Sequence, residues 1–202
     1  MNDVTRAMIS DDEPVVAPPA RTPWILAPFL WLTRRITGKD PLPARLLAHF
    51  PKAAIGAGIF EATAAHGPGD LETRLLSIAR IVASAKAGCP FCIDMNAATY
   101  ERSRISPAEL GGILALDPAI WRSWSDRERI AAEYALALSS TPVVLSPELR
   151  SELVARFQPR EIVVLATTIA QVNYWARFNQ GLGVPAAGFF DATVCLPPSK
   201  TG

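Results

Sequence analysis

The sequence has few of the residues from which disulfide scaffolds, metal sites and charged interfaces are built. Its 202 residues include three cysteines and two histidines. That is too few for a disulfide scaffold, and His49 and His66 stand at no spacing that a metal site uses. With 20 basic and 19 acidic side chains, the formal net charge is +1. This balance lacks the basic excess that nucleic-acid binding requires, so we expect no nucleic-acid partner. The spacing of the histidines likewise leads us to expect no metal site.

The sequence also lacks the patterns of targeting and membrane-spanning segments. Residues 1–20 carry several acids and no early apolar run, unlike a signal peptide. The most hydrophobic stretch, 24–32, is broken by Pro28 and is far shorter than the roughly 20 residues that span a bilayer. It suits a helix at a membrane surface, or, as we favour, a helix packed on the domain or on a second subunit. We expect a cytoplasmic protein without an integral membrane segment.

The prolines near the N-terminus and the composition beyond them divide the chain into three parts. Several prolines break any helix in residues 1–22, which we predict to be an extended or disordered arm. Residues 23–196 are predicted to form one helical domain, long enough to bury a core. Residues 197–202 are predicted to be a C-terminal tail.

From about residue 40 the sequence predicts one helix after another. Alanine is frequent, and the alternation typical of strands is scarce. Predicted helices cover 51–65, 71–87 with Asp70 as the N-cap and one face buried, and about 89–102. Serine caps with first-turn acids start three more helices at Ser106, Ser125 and Ser146, and Pro159 starts the last, which extends to about Gln180. The predicted fold class is an all-α bundle.

Two of the three cysteines form a CxxC motif, Cys89 to Cys92, at the start of a predicted helix after Gly88. The unpaired N–H groups and the positive end of the helix dipole stabilise a thiolate there. The other sulfur is then within reach to resolve a sulfenic acid or a mixed disulfide. Two buried structural cysteines, or a zinc site completed by Cys195 and His66, are the alternatives. The motif favours thiol redox chemistry.

Three sequence segments form a pattern that is more specific than CxxC alone. They are 74–96, which contains Ala87-Gly88-Cys89-Pro90-Phe91-Cys92-Ile93-Asp94-Met95-Asn96; 124–135, with Trp124-Ser125-Asp126-Arg127-Glu128-Arg129; and 173–183, with Asn173-Tyr174-Trp175-Ala176-Arg177-Phe178-Asn179-Gln180-Gly181-Leu182-Gly183. Together they resemble the carboxymuconolactone decarboxylase and alkylhydroperoxidase-D-like (AhpD-like) family over about residues 40–196. The resemblance implies an all-α fold, oligomers of such subunits and, in the redox branch, a peroxidase that uses CxxC as a dithiol.

The sequence departs from the redox branch of that family at the two residues of its proton relay. That branch places a glutamate twelve residues before the first cysteine and a histidine four residues after the second, where this chain has Ser77 and Asn96. Neither side chain titrates near neutral pH. The chain resembles a subgroup with Asn in place of the relay His. Asn96 lies one helical turn after Cys92, where it either hydrogen-bonds a thiol or peroxide oxygen or is satisfied by other groups.

Four further residues are candidates for the site. Asp94 and Glu133 are carboxylates that can replace the relay; the alternatives are dipole compensation for Asp94 and a salt bridge to an arginine for Glu133. Cys195 is either a resolving or substrate-contacting thiol or an incidental one. Tyr174 lines a pocket or belongs to the core.

The leading hypothesis is a thiol-dependent oxidoreductase of alkylhydroperoxidase or peroxiredoxin-like activity. Cys89 and Cys92 would reduce a hydroperoxide or a partner disulfide, without metal or organic cofactor and with a protein dithiol as reductant. One alternative is a lyase acting on a small carboxylated lactone, with Arg80, Lys86 and Arg177 as available cations. Another is a non-catalytic family member with a vestigial CxxC. Apolar residues 24–32 and a mean hydropathy of +0.19 favour a homo-oligomer.

Overall fold

The structure, a computed structural model, describes residues 13–39 and 42–191. Within these ranges the chain forms α-helices and two 3₁₀ turns, Trp24–Leu26 and Glu101–Ser103, and no strand, which confirms the predicted all-α fold. None of these helices combines the length and hydrophobicity that a transmembrane span requires. The helices are α1 (Ala27–Thr37), α2 (Leu42–Leu47), α3 (Pro51–Ala64), α4 (Thr73–Ala87), α5 (Pro90–Ala97), α6 (Pro107–Leu114), α7 (Pro118–Trp121), α8 (Asp126–Leu138), α9 (Pro147–Arg156) and α10 (Pro159–Gly181).

Helix α4 is the centre of the bundle. It packs against α8 and α10 along its length and also contacts α5 and α6. The sequence pattern predicts one buried face, but α4 is buried on almost every side, because partners surround it. Its Ile78, Ile81 and Val82 are fully buried, and full burial of such a side chain stabilises the fold by about 1.5–3 kcal/mol. The residue that follows α4 is therefore attached to a helix that several other helices pack against.

The helix starts follow the sequence signals closely, with one exception. Ser106 and Ser125 cap α6 and α8 in reciprocal capping boxes, and Ser146 caps α9. Asp70, in contrast, does not cap α4, which begins at Thr73. Its carboxylate accepts the N–H of Gly67 at 3.1 Å and binds Arg160, so it closes the preceding turn instead.

The helix that begins after Cys89 is shorter than the sequence predicts. It ends at Ala97, and a separate 3₁₀ turn follows at Glu101–Ser103. The φ angle of Arg104 is +56°, in the left-handed region, which ends this turn and directs the chain into α6. The helix that bears the cysteine pair is therefore a short element whose eight residues span little more than two turns.

Arg74, near the start of α4, joins two of the capping boxes. Its guanidinium donates to Glu109 of α6 at 2.5 Å and to Glu128 of α8 at 2.6 Å. Burial raises the pKa of Glu109, but the hydrogen bonds from Arg74 and Ser106 outweigh it and hold that pKa at about 2. One cation thus fixes the N-termini of two helices against the central helix.

The N-terminal part of the described chain lies along the domain surface. Val15 donates its N–H to the carbonyl of Leu182 at 2.9 Å, and the imidazole of His49 is 2.8 Å from the carbonyl of Ala17. Helix α1 leaves Trp31 exposed over 64% of its surface. Residues 1–12 and the predicted tail 197–202 lie outside the described residues, and so does Cys195.

Candidate functional site

The CxxC pair lies at the junction between α4 and α5. Gly88 ends α4 with a φ of +64°, a conformation that glycine adopts without strain. Cys89 then caps α5 in an extended conformation, and its sulfur accepts the N–H of Cys92 at 3.2 Å. Cys89 and Cys92 are joined in a disulfide, and both side chains are almost completely buried. The pair is thus in contact with the positive end of a helix, as the sequence predicts.

Two asparagines lie next to Cys92 and contact different atoms of it. The amide of Asn96 donates to the Cys92 carbonyl at 2.9 Å and to the hydroxyl of Ser84 at 3.0 Å. The sequence leaves open whether this amide binds a sulfur or other groups, and here backbone and hydroxyl oxygens take its N–H groups. Asn179 of α10 lies 3.7 Å from the Cys92 sulfur through its Nδ2.

A cavity of about 280 Å³ opens beside Cys92, a size suited to a small ligand. Helices α3, α4, α5 and α10 supply its walls. Ala65, Met95, Val172 and Trp175 form the apolar part of the lining. Its polar lining consists of Glu61, Ser77, Arg80, Cys92, Asn96, Thr99 and Gln171. Cys89 does not line the cavity, so Cys92 is the member of the pair that a ligand in the cavity would meet.

Ser77 and Arg80 of α4 form one side of the cavity. The Ser77 hydroxyl is 2.5 Å from that of Ser103, so the position where the resemblance expects a glutamate holds a pair of hydroxyls. The Arg80 guanidinium donates to the His66 carbonyl at 2.7 Å. Burial lowers the pKa of Arg80, and the negative charge of Glu61 opposes that effect. Of the three cations considered for a lactone carboxylate, Lys86 and Arg177 are exposed and do not line the cavity.

Glu61 of α3 also lines the cavity. Its Oε1 accepts the amide of Gln171 at 2.9 Å and the indole N–H of Trp175, both from α10. Glu61 is not among the site residues predicted from the sequence. A signal was present, because Glu61 is the only acid between Asp40 and Asp70, in a helix that is otherwise apolar apart from Lys52 and Thr63.

A second, largely apolar cavity of about 280 Å³ lies next to the first. It is lined by residues of α1, α2, α3 and α5, among them Phe29, Leu47 and Phe91. Glu61, Met95 and Trp175 line both cavities. The site therefore consists of a polar cavity at the sulfur and an apolar groove that share one wall.

Asp94 is fully buried but does not line either cavity. Its two carboxylate oxygens accept the N–H groups of Ala187 and Phe190 at 2.8 and 2.7 Å. Phe189, between them, packs edge-on against Phe91 with ring centroids 6.2 Å apart. Asp94 thus fastens the segment after α10 to the cysteine helix, and its oxygens already have partners.

The other predicted residues lie outside the cavity. Glu133 is 38% exposed on α8 and forms an ion pair with Arg129 at 2.9 Å, the alternative that the sequence left open. Tyr174 is exposed and packs edge-on against Phe60 and Trp175, and of these three rings Trp175 lines the cavity. In the described ranges, no three His, Cys, Asp or Glu side chains are grouped so as to hold a metal ion.

No protein-family model matches the sequence. The uncharacterized protein YnjA of Escherichia coli is 32% identical over 188 residues, which cover 91% of this chain and 97% of YnjA. The chain belongs to the YnjA family.

Solved structures show the fold of this YnjA-family protein to be AhpD-like. A peroxidase-related protein with an alkylhydroperoxidase AhpD core, from Ralstonia eutropha, has a TM-score of 0.73 and 16% identity, over 93% of this chain and all of that one. A variant of the debrominase Bmp8 in complex with 2,3,4-tribromopyrrole has a TM-score of 0.71 and 19% identity, over 86% of this chain and 92% of that one. At these identities the likeness shows a shared fold.

Proposed function

We propose that this YnjA-family protein is a thiol-dependent oxidoreductase that reduces hydroperoxides with the Cys89–Cys92 dithiol. The observation that carries the proposal is the position of Cys92, which lines a ligand-sized cavity while its sulfur is bonded to that of Cys89, the proposed resolving partner. The AhpD-like and peroxidase-related neighbours support the same class of activity. In the proposal the protein is cytoplasmic and uses no metal or organic cofactor.

Cys92 is the sulfur that meets the peroxide in this proposal. It lines the cavity, whereas Cys89 lies behind it at the N-terminus of α5. The Cys92 N–H that points at the Cys89 sulfur, together with the helix dipole, stabilises negative charge on Cys89. Cys89 is thereby suited to leave as a thiolate when a reductant attacks the disulfide at Cys92.

The proposed cycle has three balanced steps. The Cys92 thiolate attacks the terminal oxygen of a hydroperoxide, an S–O bond forms, the O–O bond breaks, and the alkoxide leaves and takes up a proton. The Cys89 thiol loses its proton, and its thiolate attacks the sulfur of the Cys92 sulfenic acid; an S–S bond forms, the S–O bond breaks, and the leaving hydroxide takes up a proton to become water. A dithiol reductant, a protein dithiol in the cell, supplies two electrons and two protons and restores both thiols.

Asn96 has a supporting part in the proposal. We assign the chain to a subgroup in which this asparagine takes the position of the relay histidine. Its bond to the Cys92 carbonyl and to Ser84 ties the cysteine turn of α5 to α4. It thus maintains the position of Cys92 at the cavity and transfers no proton itself, because an amide does not titrate near neutral pH.

Peroxide consumption with dithiothreitol as the dithiol tests the proposal. Cys92→Ser should reduce consumption to background and leave no sulfenic acid for dimedone to trap. Cys89→Ser should still form a trappable sulfenic acid, because the attacking sulfur is intact. Because the proposed cycle uses Cys89 and Cys92 alone, Cys195→Ser should keep full turnover, and a loss of turnover there would favour the alternative that Cys195 is a resolving or substrate-contacting thiol. Full turnover in Cys92→Ser would show that the dithiol is not the reactive group.

We further propose that the protein is a homo-oligomer. Large apolar side chains are exposed on α1 and α3 or just before them: Trp24 (85%), Trp31 (64%), Phe50 (62%) and Ile59 (61%). Large exposed apolar areas are typical of surfaces that pack against a partner. Sedimentation equilibrium should therefore give a mass above the 21.8 kDa of one chain.

A further inference from the structure

Among the described residues that line the cavity at Cys92, Glu61 is the one carboxylate. It lies on α3, whereas Ser77 and Asn96, which stand at the relay positions of the resemblance, lie on α4 and α5. The residues that the sequence offers as replacements for that relay are committed elsewhere: Asp94 to two backbone N–H groups and Glu133 to Arg129. We propose that Glu61 is the general acid–base group of the site, taking the thiol proton from Cys92 and returning it to the leaving alkoxide. This inference rests on the proposed hydroperoxide reduction.

The contacts of Glu61 suit that role because they hold the carboxylate in place without using all of it. Oε1 accepts the N–H groups of Gln171 and Trp175, which come from consecutive turns of α10. Oε2 has no hydrogen-bond donor among the described residues, and Glu61 lines the cavity that Cys92 borders. One oxygen is thus fixed by α10, and the other is available to a proton in the cavity.

The charges around the cavity fit a proton transfer between a thiol and a carboxylate. Among the residues that line it, the groups able to carry charge are Glu61, Arg80 and the reduced Cys92. No described carboxylate forms an ion pair with Arg80 within 4.0 Å, and its anchor is the neutral carbonyl of His66. Its positive charge therefore remains to offset the negative charge that moves from thiolate to alkoxide during the reaction.

The proton and electron balance of the step is complete. The S–H bond of Cys92 breaks and an O–H bond forms on Glu61 Oε2. The thiolate attacks the terminal peroxide oxygen, which becomes the sulfenic acid oxygen and keeps its own hydrogen. The O–O bond breaks, and its electron pair leaves with the alkoxide. Glu61 then gives its proton to that alkoxide, which leaves as an alcohol, and the carboxylate is regenerated.

Three glutamate variants test the assignment by single-turnover oxidation with tert-butyl hydroperoxide. Glu61→Gln keeps an oxygen for Gln171 and Trp175 but cannot ionise, so the rate of sulfenic acid formation should fall by about 100-fold or more. Glu61→Asp keeps the acid and should retain part of the lost rate. Glu133→Gln removes an exposed carboxylate on α8 and should leave the rate unchanged.

A second readout separates proton transfer from a change in folding. In a Cys89→Ser background, the pH midpoint for iodoacetamide alkylation of Cys92 should move to lower pH in Glu61→Gln, because a nearby negative charge opposes thiolate formation. A slower reaction with this lower midpoint supports the assignment. An unchanged rate, or a slower rate with an unchanged midpoint, overturns it. If the protein with native Glu61 does not reduce peroxide at all, the proposed function fails, and the alkylation midpoint still reports on Glu61.

Discussion

Asp94→Asn should destabilise the protein by about 3 kcal/mol. Asp94 is completely buried, and its two carboxylate oxygens bind the backbone N–H groups of Ala187 and Phe190 at 2.8 and 2.7 Å. Asparagine has almost the same shape, so the change alters charge and hydrogen bonding but little in packing. The perturbation therefore isolates the bond between the cysteine helix and the segment that follows α10.

The magnitude follows from counting hydrogen bonds. A hydrogen bond to a charged acceptor contributes about 1.5–3 kcal/mol, and one between neutral groups contributes about 1 kcal/mol. Asparagine offers one oxygen to one of the two N–H groups and turns its own N–H toward the other. One of the two hydrogen bonds to a charged acceptor is lost, and the other becomes a hydrogen bond between neutral groups. The backbone N–H that faces the asparagine NH₂ group is left without an acceptor.

Urea unfolding monitored by circular dichroism at neutral pH measures this loss. The slope with denaturant should stay constant, so that the shift in midpoint reports stability. Asp117→Asn is the matched control: Asp117 caps α7 by accepting the N–H of Ala119 at 2.9 Å, and asparagine caps helices equally well. If Asp94→Asn lowered the free energy of unfolding no more than Asp117→Asn does, the carboxylate of Asp94 would not hold the segment after α10 in place, and the prediction would be wrong.

Two further predictions concern the ion-pair network and the apolar surface. Arg74→Met should cost about 2 kcal/mol at pH 7, between the values for exposed and buried pairs. Hydrogen bonds from Arg74 and Ser106 keep the folded-state pKa of Glu109 at about 2, and those from Ser125 and Arg74 hold the pKa of Glu128 below its ordinary value, so the stability from these carboxylates is present above about pH 4.5 and lost toward pH 2. The variant should lose less over that window in pH-dependent unfolding, and an equal loss would contradict this assignment. Trp31→Glu, on the exposed face of α1, should lower the mass in sedimentation equilibrium; an unchanged mass would place the subunit interface elsewhere.

The fold was predictable from the sequence where interacting residues are close together in the chain. The capping boxes at Ser106 and Ser125 join residues three apart, so the sequence displays both partners at once. Gly88 likewise marks the end of α4 by its own backbone preference. Asp70 was predicted as a cap for the same local reason, but a distant partner, Arg160, binds its carboxylate and the turn closes instead.

The candidate site was predictable only in part, because its partners are far apart in the chain. CxxC identified the sulfurs, but the donors to Glu61 are 110 and 114 residues away. The amides that bind Asp94 are 93 and 96 residues from it. No spacing rule connects such positions, since they meet only when α3, α5 and the end of α10 have packed together. The identity of the cavity carboxylate is therefore a property of the tertiary structure.

The polar cavity and the apolar groove share a wall that can change shape quickly. Met95 is one of the three residues in that wall and is 40% exposed. Its unbranched thioether has three rotatable bonds, and exposed side chains change rotamer within picoseconds to nanoseconds. The wall between the two cavities can therefore change shape by rotation of one side chain, far faster than helices rearrange. The shape of the site can thus change beside Cys92 while α3 and α5, which carry Glu61 and Cys92, keep their positions.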